Sequence, residues 1–165
     1  MEQFILRSGS SNIFIIDNGL NKTIKKTIYR KSQEKYEKEL KALNILDKYQ
    51  HFPKIIKSIK QDYSIYMTYC GDRISCNNIP DDWEQQVQYI TKSINETNIV
   101  HGDINPGNIC VFENIIYLID FGNIRFYEDE FFLQNNFHLY REKQHRKLYN
   151  ICTAISRKED PWKVI

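Results

Sequence analysis

Residues 99–122 read IVHGDINPGNICVFENIIYLIDFG. Three polar features punctuate this stretch. His101-Gly102-Asp103 comes first, Asn108 follows five positions after the aspartate, and Asp120-Phe121-Gly122 begins twelve positions further on. Between them lie two apolar runs, Ile109-Cys110-Val111-Phe112 and Ile115-Ile116-Tyr117-Leu118-Ile119. They flank Glu113-Asn114, a tight-turn signal. The stretch predicts a loop carrying Asp103 and Asn108, a β-hairpin, and a second loop that opens with Asp120.

Such an arrangement suits phosphoryl transfer. That chemistry needs a carboxylate to orient an acceptor hydroxyl and take its proton, and oxygen ligands to hold Mg²⁺ against phosphates. A carboxylate and an amide from one loop, with a carboxylate from the next, supply those parts. The residues resemble the protein kinase superfamily, whose catalytic loop reads H-x-D-x-x-x-x-N and is followed, after a short hairpin, by D-F-G. The resemblance implies ATP and Mg²⁺ as cofactors, Asp103 as catalytic base, and Asn108 and Asp120 as metal ligands. It runs from about Phe4 to Asn123, and its strong motifs lie between His101 and Gly122.

The bulk properties narrow the field less. At 165 residues the chain is long enough for one domain, or for two small lobes sharing a cleft. A hydrophobic content of 41% suffices for a core, and a net charge of +2 makes no case for nucleic acid by itself. No apolar run is long enough for a membrane helix, and the N-terminal residues lack the pattern of a signal peptide, so no membrane partner is expected. The four cysteines, Cys70, Cys76, Cys110 and Cys152, have no C-x-x-C spacing. This favours a reducing, cytoplasmic compartment without a structural metal. Rich use of Ile, Asn, Lys and Tyr suggests an A/T-rich coding genome, such as that of a virus, a parasite or a low-GC bacterium.

Upstream of the motif, Phe4–Ile16 reads as two short strands around Gly9-Ser10-Ser11. In a kinase this hairpin covers the phosphates with backbone N–H groups. Residues 20–29 read as a strand. The resemblance places a phosphate-contacting lysine there, and Lys25 fits the family pattern best. Lys26 is the alternative, because one residue of register moves a side chain to the other face. Ser32 to about Tyr49 is helical, with Ser32 a candidate N-cap and Tyr36, Leu40, Leu43 and Leu46 an apolar stripe. Glu39 is the expected partner of the strand lysine, and Glu37 the alternative. Two further strands, Lys54–Ile59 and Tyr63–Tyr69, lead into Met-Thr-Tyr-Cys-Gly-Asp. This resembles a kinase hinge, with Met67 behind the pocket, Thr68 to Cys70 facing an adenine, and Asp72 near a ribose hydroxyl. A helix then starts at Asp81-Asp82-Trp83-Glu84, which has the form of a capping box. Trp83, Val87, Ile90 and Ile94 form its apolar face.

Beyond Gly122 about forty residues remain. Glu128–Ile155 reads as a helix whose apolar stripe is interrupted at Gln144, and residues 141–147, REKQHRK, form a basic run. The run reads as a solvated helix face, with an acidic or RNA partner as the alternative. Gly102 stands where regulated protein kinases carry an arginine, which argues against control by loop phosphorylation. His-Gly-Asp with D-x-x-P-x-N is similar to aminoglycoside and choline phosphotransferases. It is also similar to minimal atypical protein kinases, namely the RIO group and the small kinases of tRNA-modifying complexes. The expected fold is α+β: a minimal two-lobed kinase-like chain with a small antiparallel sheet and one helix over 1–70, and a reduced helical lobe over 71–165. The expected function is an ATP- and Mg²⁺-dependent phosphotransferase, a minimal atypical serine/threonine protein kinase. A small-molecule kinase and a nucleotide-binding pseudokinase scaffold are the alternatives.

Overall fold

The computed structural model describes residues 2–8, 10–129 and 131–165. Short β-branched and aromatic runs at the start of the chain form β1 (Glu2–Ser8), β2 (Ser11–Asp17) and β3 (Lys22–Ile28). Helix α1 (Gln33–Leu46) follows, then β4 (Ile55–Ile59) and β5 (Ser64–Thr68). These strands make one sheet in the order β1-β2-β3-β5-β4, antiparallel throughout. Gly9, expected to cover phosphates, lies outside the described residues.

Strand β3 sits between β2 and β5, so its two faces meet different surroundings. Lys25 pairs with Phe14 and Tyr66, and Lys26 pairs with Ile13 and Ile65. Successive side chains alternate between faces. Ile28 and Lys26 are buried on the face that α1 covers. Helix α1 buries Tyr36, Glu39, Ala42, Leu43 and Leu46, one stripe at three- and four-residue spacing. Ser32 makes no side-chain capping bond. It belongs to a 3-10 turn, Arg30–Ser32, that runs straight into α1, so its hydroxyl is not set at a free helix start.

After a short β6 (Asp72–Arg73) comes α2 (Trp83–Glu96), then β7 (Ile99–Val100), the hairpin β8 (Ile109–Phe112) and β9 (Ile115–Leu118), β10 (Arg125–Phe126) and the long α3 (Phe131–Ser156). Strands β6, β8 and β9 form one small sheet, and β7 and β10 another. The expected capping box at α2 does not close. Asp82 occupies the N-cap in a turn-like conformation, and its carboxylate accepts from Gln86 Nε2 at 2.7 Å instead of from a backbone N–H. Gln86 has a larger task. Its Oε1 accepts from Ile116 N–H at 2.8 Å and its Nε2 donates to Asn114 O at 2.8 Å, which docks the hairpin on α2. Val87, Ile90 and Ile94 of α2 join one continuous core with Leu46, Phe52, Ile65, Leu118, Phe121, Leu148 and Ile151. The core therefore runs from the large sheet through the hairpin to α3. No described helix is long and apolar enough to cross a membrane.

Candidate active site

The floor of the site is a buried ion triad. Lys26 Nζ lies 2.8 Å from Glu39 Oε1, 2.7 Å from Glu39 Oε2 and 2.7 Å from Asp120 Oδ1. The Lys26 and Glu39 side chains are 7% and 2% exposed. Burial works against the Lys26 ammonium, but the two carboxylates outweigh it and hold its pKa above the ordinary lysine value. Burial also opposes the ionised form of Asp120, and Lys26 reverses that and keeps its carboxyl below the usual range. Glu39 feels burial most, and its pKa is raised despite Lys26.

This triad corrects the expectation for Lys25. Its ammonium lies over the Phe14 ring at 5.3 Å and the Tyr66 ring at 5.9 Å, on the face of β3 away from Glu39. The period-2 alternation of the strand allows only one of the two neighbouring lysines to reach the helix. Of the two candidate glutamates, Glu39 points inward, and Glu37 is exposed and accepts from Gln33 Nε2 at 2.9 Å.

Asp103 is held by amides. Asn105 Nδ2 donates to Asp103 Oδ1 at 2.9 Å, Asn108 Nδ2 to Oδ2 at 3.2 Å, and Asn123 Nδ2 to Oδ2 at 3.4 Å. Asn108 Nδ2 also donates to Asp103 O at 2.9 Å, so its amide oxygen is turned away from the aspartate. Ile119 N–H donates to Asn108 O at 2.9 Å, which ties the loop of Asp103 to the loop of Asp120. Asp120 adopts a left-handed backbone, φ +64°. Such strain in a non-glycine residue is concentrated at functional sites. Gly102 has φ +80°, and a Cβ there would lie 2.3 Å from Asn123 O, so this position takes glycine for steric reasons.

His101 is fully buried between the two loops. Its Nε2 lies 3.0 Å from Ile119 O, and its Nδ1 lies 3.3 Å from Asp103 N. A carbonyl only accepts and a peptide N–H only donates, so the ring is the neutral Nε2–H tautomer. Burial pushes its pKa down to about 4. The ring also meets Phe121 edge-on, with centroids 4.8 Å apart. Its backbone N–H donates to Gln144 Oε1 of α3 at 2.7 Å. Gln144 is buried, and its other end faces Ile99 O at 3.4 Å. The polar break in the α3 stripe is thus a support for the loop of Asp103. The signal for it in the sequence was an uncharged polar residue where the periodicity calls for an apolar one.

A cavity of about 480 Å³ opens from the triad toward the segment 67–73. Lys26, Glu39, Asn108 and Asp120 line its inner end, and Met67, Thr68, Cys70 and Asp72 line the other. Thr68 is anchored by Lys54: Thr68 N–H donates to Lys54 O and Lys54 N–H donates to Thr68 Oγ1, both at 2.9 Å. Tyr69 Oη donates to Asp72 Oδ1 at 3.0 Å. Burial keeps the cleft thiols protonated. Burial raises Cys70 to about 12 and Cys110 to about 11. On the far side of Asp120, Ser10, Lys35, Asp103 and Asn123 line a second space of about 450 Å³. Ser11 does not line either space. Its side chain is fully buried in the start of β2, opposite Ile28.

The basic run on α3 divides by helical phase. Arg141 lies over the Phe137 ring and donates to Asn95 O at 2.9 Å, which fastens α3 to α2. Lys143 and Lys147 instead line a small cavity of about 120 Å³ with Gly102, Ile104 and Arg125, beside the loop of Asp103.

Asn108 and Asp120 offer an oxygen donor set of the kind Mg²⁺ takes: few protein ligands, with phosphate and water oxygens completing the shell. No group of three or more His, Cys, Asp or Glu side chains that could hold a metal by itself occurs among the described residues. Asn108 and Asp120 are two oxygen donors, a number that fits a metal also ligated by phosphate oxygens.

A family model for the RIO domain matches residues 16–129. The match spans the lysine of β3, the glutamate of α1, the segment 67–72 and both loops of the site.

Proposed function

The chain belongs to the RIO domain family, a branch of the protein kinase-like superfamily with a small kinase-like fold, and from that premise we propose that it is an ATP- and Mg²⁺-dependent phosphotransferase of the atypical serine/threonine protein kinase type. The observation that carries this reading is the meeting of Lys26, Glu39 and Asp120 at the inner end of the cleft, with Asp103 held by three side-chain amides across Asp120 from it.

In this reading Lys26 neutralises the α- and β-phosphates, and Glu39 keeps its ammonium in place. Asn108 and Asp120 would hold Mg²⁺, which would supply positive charge against the phosphate oxygens. Backbone groups of Thr68 to Cys70 receive the adenine edge, with Thr68 N–H and Oγ1 themselves committed to Lys54. Asp103 orients the acceptor hydroxyl toward the γ-phosphorus. The new O–P bond forms as the bond to the ADP oxygen breaks, and the hydroxyl proton passes late to Asp103 Oδ. The cationic side chains beside Gly102, namely Arg125, Lys143 and Lys147, favour an acceptor with acidic residues near its hydroxyl.

The test is transfer of labelled phosphate from ATP to protein acceptors, with wild type beside Asp103→Ala and Asp120→Ala. Mg²⁺-dependent labelling that both variants lose is the expected result. Nucleotide binding without transfer would turn the reading toward a pseudokinase scaffold, and label appearing only on small molecules would turn it toward a small-molecule kinase.

A further inference from the structure

We propose that Trp162 is a nucleotide-contacting residue whose indole forms the sugar-side wall of the cleft and packs against the ribose and adjoining base of the bound nucleotide. The proposal rests on the nucleotide reading above, but it concerns a residue outside the matched stretch. Trp162 lies in a short 3-10 turn, Pro161–Val164, after the end of α3. The fold brings it back to the same 480 Å³ cavity that Lys26, Met67 and Asp72 line.

The ring is held there by a built turn. Asp160 Oδ1 accepts from Trp162 N–H at 3.0 Å, and Asp160 O accepts from Lys163 N–H at 3.2 Å. The preceding residues lock onto the end of α3: Lys158 takes a left-handed backbone at φ +60°, and Glu159 N–H donates to Ala154 O at 2.8 Å. On the cleft side the indole faces Gly107. A methyl group at that glycine would lie 3.8 Å from Trp162 Cη2 and 4.0 Å from Cζ2. The ring is therefore within a methyl group's reach of the loop between Asp103 and Asn108.

Two features point to a ligand. First, Trp162 is 57% exposed, a large apolar surface for a tryptophan held in one place. It borders a concave cavity, where a bound group removes that surface from water. Trp83, the other tryptophan, is packed on Tyr149 with centroids 5.2 Å apart. Second, its neighbours locate the contact. Met67, Thr68 and Cys70 mark the base end of the cleft and Lys26 and Asp120 the phosphate end; Asp72 and Arg73 line the same cavity, and Gly107 of the Asp103–Asn108 loop is the lining residue that faces the indole. The cavity keeps its 480 Å³ with the ring in place, so the ring walls the site without plugging it.

The test uses the full chain and Mg²⁺-ADP as probe. With Trp83→Phe, Trp162 is the sole tryptophan, and its emission is followed during titration. Calorimetry gives Kd for wild type, Trp162→Ala and Trp162→Phe, with inorganic tripolyphosphate as a ligand lacking sugar and base. The expected results are a saturable emission change with the calorimetric Kd, and a roughly tenfold weaker ADP Kd in Trp162→Ala, the loss of one stacking contact. Trp162→Phe should recover most of that loss, and tripolyphosphate should bind all three alike. Unchanged or tighter ADP binding by Trp162→Ala overturns the proposal, as does an equal loss for tripolyphosphate. Absence of ADP binding by wild type would overturn the nucleotide reading itself, whereas wild-type binding that Lys26→Met weakens and Trp162→Ala does not would leave that reading standing without this contact.

Discussion

His101 Nε2–H donates to the carbonyl of Ile119 at 3.0 Å, so the residue two before Asp103 is bonded to the residue immediately before Asp120. The bond joins the two loops of the site at their bases and uses a neutral ring to do it. Protonation would put a second N–H at Nδ1, against the Asp103 N–H that it now accepts.

That arrangement makes stability depend on pH. The folded-state pKa of His101 is about 4, against an ordinary 6.5. Between those values the unfolded chain binds the proton and the folded chain does not. Stability therefore rises with pH through this window and is lost as pH falls from 6.5 toward 4, by an amount on the order of 3 kcal/mol. Urea unfolding of wild type at pH 7 and pH 4.5 should show the loss, and His101→Phe should show much less of it.

Lys26 and Lys25 should separate cleanly. Lys26→Met is expected to lower phosphate transfer by roughly a hundredfold or more, the scale for removing one preorganised charge from a site. Lys25→Met, on the opposite face, should stay within about threefold of wild type in a side-by-side initial-rate assay. Because Lys26→Met strands Glu39 in the interior, it should also cost about 3–5 kcal/mol of stability. Adding Glu39→Met should restore part of that stability and none of the activity.

Gln144→Leu should destabilise the chain by roughly 1–3 kcal/mol, since His101 N–H then has no acceptor in the core. The loop of Asp103 loses its support from α3, so kcat should fall more than KM for ATP. Equal effects on both constants would reduce Gln144 to a general packing residue.

Charge reversal at Lys143 and Lys147 should raise KM for an acidic peptide acceptor roughly tenfold, leave KM for ATP unchanged, and lose its effect in high salt. RNA is the other anion to try. Binding that wild type shows at low salt, that falls steeply with added salt and that the same variants lose would assign the surface to RNA.

Much of the candidate site was legible because its residues lie close together in the chain. The spacing of His101, Asp103, Asn108 and Asp120 and the two apolar runs between them were read directly, as were the apolar stripes of α1 and α2. Other features were not legible, for definite reasons. Ser32 and Asp82 carry capping side chains, but a cap requires a backbone geometry that composition does not specify, and both residues sit in turns that deny it. Gln86 and Gln144 are polar residues on helices, and their work lies in N–H groups thirty and forty-three positions away.

The sequence by itself determined the order of the candidate site residues and the family they belong to, because residue type and short spacing carry that information. Only the tertiary structure decided which lysine faces Glu39, which cations border the loop of Asp103, and that Trp162 returns to the cleft. Each of these depends on which face of an element is covered. That is settled by packing between segments far apart in the chain, where a shift of one residue in a strand reverses the outcome.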